Sequence, residues 1–224
     1  MSKSTTNNFL IVFAVLIIVL LGYYVFGTES TAPATTDVTV SLNDHIRANK
    51  EASVTLLEFG DFQCPACGAY EPMVREVVAK NAQDVRFVFR HFPLTQIHQN
   101  ALLASKYAEA ASIQGKFWEM HDVLYDKQTE WSSSLQAKTM FEGYAKTLGL
   151  DVVKLSADAQ SKAVEEKILA QYKEGVKLGV QGTPTFFING KKLESNPRSV
   201  EEFNKLIQDA KATAKSAPAP AKTN

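Results

Sequence analysis

Apolar positions recur along this chain in three patterns. Residues 9–26 are almost unbroken apolar, with one glycine. Ser53–Phe59 carries apolar side chains on both faces, which predicts a buried strand. The segment 85–92 predicts a second strand, ended by Pro93. Helical spacing then takes over. Ala69–Lys80, Ala101–Ile113, Phe117–Asp126, Leu135–Leu148 and Ala157–Leu178 place apolar residues three and four apart. Gly115, the stretch Thr129–Ser134 and Gly149 break the later ones. Thr185–Ile188 predicts a further strand, Asn189-Gly190 a two-residue hairpin turn, and Lys191–Glu194 the strand that pairs back. Ser199 with Glu202 forms a capping box that starts a last helix, ending near Thr213. No internal repeat is evident.

The apolar run near the start changes the picture first. Eighteen residues at about 1.5 Å each span about 27 Å, close to the hydrocarbon thickness of a bilayer. The run exceeds the usual apolar core of a cleaved signal, and the small residues around Ser30–Ala34 lie well past it beside a proline. A retained anchor is favoured over a removed signal, and no cysteine follows the run to carry a lipid. Lys3 precedes it, whereas Thr28–Ile46 holds no Lys or Arg. The positive-inside tendency puts the N-terminus in the cytoplasm and the rest outside. The expected organisation is a cytoplasmic segment 1–8, an anchor 9–27, a linker 28–40, one folded domain 41–213 and a disordered tail 214–224. Formal net charge is zero and no basic run stands out, so nucleic-acid binding has no support.

Chemistry enters with Cys64-Pro65-Ala66-Cys67, which holds both cysteines of the chain. The pair stands at a strand-to-helix turn, where a disulfide can open and close. A structural zinc site needs four ligands, and His45, His91, His98 and His121 show no matching spacing. An inert disulfide closing so short a loop would restrict the unfolded chain little. Reversible redox chemistry is therefore favoured, and no metal or cofactor is expected. Disulfides persist outside the cytosol, which agrees with the anchor.

The element order is strand, Cys-x-x-Cys helix, strand, helical block, hairpin, helix. With Leu57–Cys67, Val85–Pro93 and the run Gly179–Gly190, the chain resembles the DsbA-like thiol–disulfide oxidoreductases, in particular their membrane-tethered bacterial branch. The resemblance covers about residues 41–213. It implies an α/β thioredoxin-like fold with a helical insertion at about 97–179, besides the transmembrane helix.

Residue roles follow from both sources. Cys64 is expected at the helix N-cap with its sulfur exposed, where unpaired N–H groups and the helix dipole favour a thiolate. Pro65 suits the first helical position. Cys67, deeper in, is expected to resolve the mixed disulfide. Pro72 is expected to kink the helix, the alternative being a helix end at Glu71. Glu58 lies in an apolar strand, where burial would raise its pKa and let it exchange protons with Cys67; the family has a buried acid there. The alternative is a solvated strand-end carboxylate. Asp61, the rival acid, is expected to be exposed in the turn. The resemblance makes Thr183-Pro184 a cis peptide beside the cysteines, exposing the backbone of Gly182 and Thr183 to an extended substrate. An ordinary trans proline opening an edge strand is the alternative. Ala66, where strongly oxidising relatives carry histidine, offers the thiolate no polar group and implies a milder oxidant. Trp118, Met120 and His121 read as core or groove packing, and His91 receives no role.

The function expected is an extracytoplasmic oxidase of exported proteins. The resemblance implies reoxidation by a quinone-linked membrane partner, and the protein is expected to be a monomer. A reductase or isomerase on the same residues, and a non-catalytic binder of copper or unfolded segments, are the rivals.

Overall fold

The computed structural model describes residues 38–216. The expected segments 1–8 and 9–27, most of the linker 28–40 and most of the tail lie outside those residues. Among the described residues, no helix is long and apolar enough to cross a membrane.

A five-stranded sheet in the order β1-β3-β2-β4-β5 organises the domain. The strands are β1 (His45–Ala48), β2 (Val54–Gly60), β3 (Val85–His91), β4 (Thr185–Ile188) and β5 (Lys191–Lys192). β2 runs parallel to β3 and antiparallel to β4. Every residue of β2 is buried, so the strand needs apolar side chains on both faces. Alternation sorts them. Val54 and Leu56 join one core, while Leu57 and Phe59 join the other. Glu58 shares the face of Val54 and Leu56, which is the face packed by helix α1 (Pro65–Lys80).

Six helices fill the stretch between β3 and β4: α2 (Ala101–Ile113), α3 (Phe117–Asp126), α4 (Gln128–Trp131), α5 (Ala137–Thr147), α6 (Val152–Asp158) and α7 (Lys162–Lys177). They are the expected insertion, with three corrections. In place of the break expected over Thr129–Ser134, residues 128–131 form the short α4. Its Trp131 is fully buried and donates from Nε1 to the Leu124 carbonyl. The expected helix over 157–178 starts only at Lys162, as α7, and residues 157–158 instead close α6, which has no expected counterpart. Asp151 caps α6 by accepting from the Lys154 N–H, and Ser161 caps α7 by accepting from the Val164 N–H. The expected helix over 135–148 is shorter at both ends, as α5 shows.

The hairpin forms as expected. Asn189 and Gly190 both have positive φ, at 45° and 82°, as the tight turn between β4 and β5 demands. β5 is shorter than expected. Ser199 accepts from the Glu202 N–H, opening α8 (Val200–Ser216), but Glu202 reaches back to the Arg198 N–H instead of closing on Ser199. The helix runs three residues past the expected end, into the expected tail.

β1 has no counterpart among the expected elements. It pairs antiparallel with β3, and the segment before it is held by a buried ion pair. Arg90 on β3 donates from Nε and Nη2 to both Asp44 oxygens, at 2.9 and 2.7 Å, and also binds Glu174. Arg90 and Asp44 are each 2 % exposed in their side chains. One short apolar run beside a charged one gives no periodicity to read.

Candidate active site

The β2–α1 turn builds the site from the backbone outward. Asp61 directs it. Its carboxylate accepts from the Gln63 N–H at 2.8 Å and the Leu94 N–H at 2.9 Å, and lies 2.7 Å from His98 Nδ1. Asp61 is fully buried, contrary to the expectation that it is exposed. Its short side chain satisfies the turn two residues on, which is why a carboxylate sits inside here. The Asp-x-Gln spacing before Cys64 carries that signal in the sequence.

Cys64 is the N-cap of α1 and Pro65 opens the helix, both as expected. Pro72 lies inside α1, which continues through to Lys80. The Cys64 sulfur is more covered than expected. The residue is 7 % exposed and Cys67 is 1 % exposed, so Cys64 is the reachable thiol of the two. Thr183-Pro184 is a cis peptide, and Cys64 Sγ donates to the Thr183 carbonyl at 3.3 Å. The Thr183 hydroxyl is buried and has no hydrogen-bond partner among the described residues. Gly182, Thr183 and Pro184 line an open cleft of about 370 Å³ together with Lys192 to Asn196.

Electrostatics separate the two cysteines. The hydrogen bond from the Cys67 thiol lowers Cys64 to about 5 against the opposing effect of burial. Thr183 and the backbone N–H groups of Cys67 and Ala66 add to it. Cys67 moves the other way: burial raises it well above an ordinary thiol, and the bond to Cys64 and the charge of Glu58 push further. Glu58 is 2 % exposed, and burial lifts its carboxyl well above the usual range, with Glu71 and Cys64 adding repulsion. One turn beyond Cys67 on α1, Glu71 is buried as well and also raised, chiefly by desolvation. The solvated strand-end alternative for Glu58 does not hold, because β2 is covered on both faces.

The arrangement can carry out thiol–disulfide exchange. Cys64 as thiolate attacks a disulfide sulfur and expels one thiolate, giving a mixed disulfide; Cys67, after losing its proton, attacks the Cys64 sulfur, expels the second substrate thiolate and closes the Cys64–Cys67 disulfide. The reverse sequence passes a disulfide outward. Glu58 is the acid on the same sheet face whose pKa suits it to exchange that proton.

Met120 and His121 are buried in the core as expected, and Trp118 packs against it. His121 lies within 2.9 Å of Asp122 and 4.0 Å of Glu71. His91 is fully buried, 2.9 Å from Glu109, which also meets His45 at 2.9 Å. Both groups, His45–His91–Glu109 and Glu71–His121–Asp122, place ligand-type atoms within 4.8 Å of one another. Each already holds a cation of the protein itself. Lys167 Nζ lies 2.8 Å from Glu109, and Arg75 and Arg47 bind Glu71 and Asp122. Neither includes Cys64 or Cys67.

Comparison with known proteins agrees with this geometry. The family model described as thioredoxin matches residues 41–209. The chain belongs to the thioredoxin family. A thioredoxin-like oxidoreductase from Silicibacter pomeroyi is 29% identical, with a TM-score of 0.65 over 80% of this chain and 95% of that one. BdbD from Bacillus subtilis, in its oxidised form, has a TM-score of 0.67 at 21% identity, over 75% of this chain and 93% of that one, which shows a shared fold. Alpha-DsbA1 from Wolbachia pipientis shares it too, at a TM-score of 0.68 and 18% identity over 81% and 97% of the two chains. Among curated relatives, a sequence named Na(+)/H(+) antiporter NhaA 3 from Salinispora tropica is 38% identical over 78% of this chain. One from Salinispora arenicola, named Na(+)/H(+) antiporter NhaA 1, is 39% identical over 78%. The chain spans about a quarter of the length of those relatives, 26% of each.

Proposed function

We propose that this protein is an extracytoplasmic thiol–disulfide oxidoreductase that oxidises exported proteins, held at the membrane by residues 9–27. One observation carries the reading: Cys64, at the N-cap of α1 and against Thr183, is lowered to about 5. A thiolate that stable favours the dithiol form of the enzyme, so the disulfide form gives up its bond readily. At pH 7 about two units of that lowering count, worth about 2.7 kcal/mol. For a two-electron couple this raises the potential by about 60 mV over an ordinary dithiol. Likeness to the thioredoxin-like oxidoreductase of Silicibacter pomeroyi supports the reaction class.

Each cycle leaves the enzyme reduced, so a membrane oxidant linked to quinone must restore the disulfide; this partner comes from the family resemblance. The protein acts as a monomer, with Gly182 and Thr183 pairing an extended substrate beside Cys64.

The test follows a reduced peptide with two cysteines, mixed with the oxidised full chain. Wild type forms the peptide disulfide and Cys64→Ser does not. Full activity in Cys64→Ser overturns the assignment. Labelling intact cells with a membrane-impermeant maleimide after reduction checks the placement: reaction at Cys64 supports it, and protection until lysis contradicts it.

A further inference from the structure

Among the described residues, and apart from the Cys64 Sγ bond to Thr183, the side-chain bonds that tie residues 61–64 to other elements all run to the segment 94–132. Asp61 meets Leu94 and His98. Gln63 donates to the Ser132 carbonyl at 2.7 Å and accepts from the Asn100 N–H at 2.6 Å. The bond nearest the nucleophile is made by Gln128, the first residue of α4. Its Nε2 donates to the Phe62 carbonyl at 2.7 Å and to the Cys64 carbonyl at 2.9 Å. Two acceptors fix the orientation of the amide, since only its nitrogen can serve both.

α1 makes room for this contact. Gly68 lies one turn after Cys64 and donates its own N–H to the same Cys64 carbonyl at 3.1 Å. A Cβ on Gly68 would collide with Gln128 Oε1. Gly68 therefore keeps open the slot that the amide fills, at a helix position where alanine would otherwise be favoured by about 1 kcal/mol.

We infer that Gln128 is a positioning residue for the exchange reaction: through the Cys64 carbonyl it holds the nucleophile's peptide at the helix N-terminus and stabilises the Cys64 thiolate. The physical basis is direct. The carbonyl of Cys64 is the negative end of a dipole next to its own sulfur, and a donor on that oxygen offsets it. A half-buried, preorientated amide does so with little reorganisation. The helical insertion thus reaches into the electrostatics of the cysteine pair. The titratable groups coupled to Cys64 are Cys67 on α1, through a hydrogen bond, and Glu58 on β2, and the substitutions at Gln128 leave both in place.

This inference rests on reading Cys64 as the attacking thiolate. The experiment is a pH titration of Cys64 thiolate absorbance in the reduced full chain, with thermal unfolding measured beside it. Wild type is titrated first: a Cys64 near an ordinary thiol value defeats the functional reading itself. With wild type lowered, Gln128→Met is expected to raise the Cys64 pKa by about half a unit, a threefold loss of thiolate at acidic pH. Gln128→Glu, which brings a charge and loses the donor, is expected to raise it by about one unit. Gly68→Ala displaces the amide while leaving Gln128 in the sequence, and moves the pKa in the same direction. If Gln128→Met does not fold, Gly68→Ala and Gln128→Glu still decide. A Cys64 titration unchanged from wild type in the variants that fold overturns the inference, whatever their unfolding temperatures.

Discussion

Cys64 Sγ donates a hydrogen bond to the Thr183 carbonyl at 3.3 Å, while the Thr183 hydroxyl beside it is buried with no partner among the described residues. The thiol uses the carbonyl; a thiolate has no proton to donate and needs a donor, which the hydroxyl supplies. Thr183→Val keeps the shape and removes that donor. It is expected to raise Cys64 above its value of about 5, by about one unit, with a tenfold loss of thiolate at pH below 5. A thiolate titration checks it, and an unchanged midpoint would count against any part for the hydroxyl.

Linkage turns the same lowering into a stability difference. Below about pH 5, Cys64 is a thiol in both folded and unfolded chains and contributes nothing. Above that, the folded reduced protein keeps a thiolate that the unfolded chain, titrating near 9.0, does not. Stability from Cys64 is complete above the unfolded value and is lost as pH falls through 5. The oxidised protein has no such group. Urea unfolding of both forms should show the reduced form losing about 2.7 kcal/mol relative to the oxidised form between pH 7 and pH 4.

Glu58 has the opposite sign. Its folded pKa is raised, so the native state holds a proton that the unfolded chain releases, and stability falls as pH climbs from the unfolded value towards the folded one. Glu58→Leu removes a buried carboxyl whose pKa burial raises. It is expected to stabilise the fold by about 1–3 kcal/mol at pH 7 and to flatten that slope. Exchange through Cys67 should slow, because the buried thiol loses its acid neighbour. Denaturation across pH and stopped-flow oxidation read the two effects separately, and a variant that is both less stable and equally fast contradicts the assignment.

Asp61 tests the turn. Its carboxylate serves Gln63, Leu94 and His98 with no exposure to water. Asp61→Ala leaves those donors unmet and is expected to cost about 3 kcal/mol. Asp61→Asn, which keeps an acceptor oxygen, should cost less. Urea unfolding midpoints rank the two.

Much of the fold and site is legible in the sequence. Cys64-Pro65-Ala66-Cys67 between a two-faced apolar strand and a helix states its own position, because cap chemistry and helix dipole act within one turn. Asn189-Gly190 is as local. Glu58 can be read because one charge in an apolar run has few solvated places to go. Asp61 misleads for the same reason in reverse: turn residues are usually wet, and only the fold reveals that residues 94–98 close over it. α4 and Gln128 give no sequence signal. Four residues make too little helix for periodicity, and a glutamine that contacts Phe62 and Cys64 from more than sixty positions away announces nothing locally. The resemblance carried by Leu57–Cys67, Val85–Pro93 and Gly179–Gly190 depends on none of these long-range contacts.

The central claim is that the pair Cys64–Cys67 donates its disulfide. The most direct test is its redox potential, from equilibration of the full chain with glutathione at pH 7. The account predicts a value between about −120 and −200 mV, rising further in Ala66→His, which places a hydrogen-bond donor between the cysteines on an exposed helix start. A value near about −270 mV would make the dithiol a reductant and contradict the account.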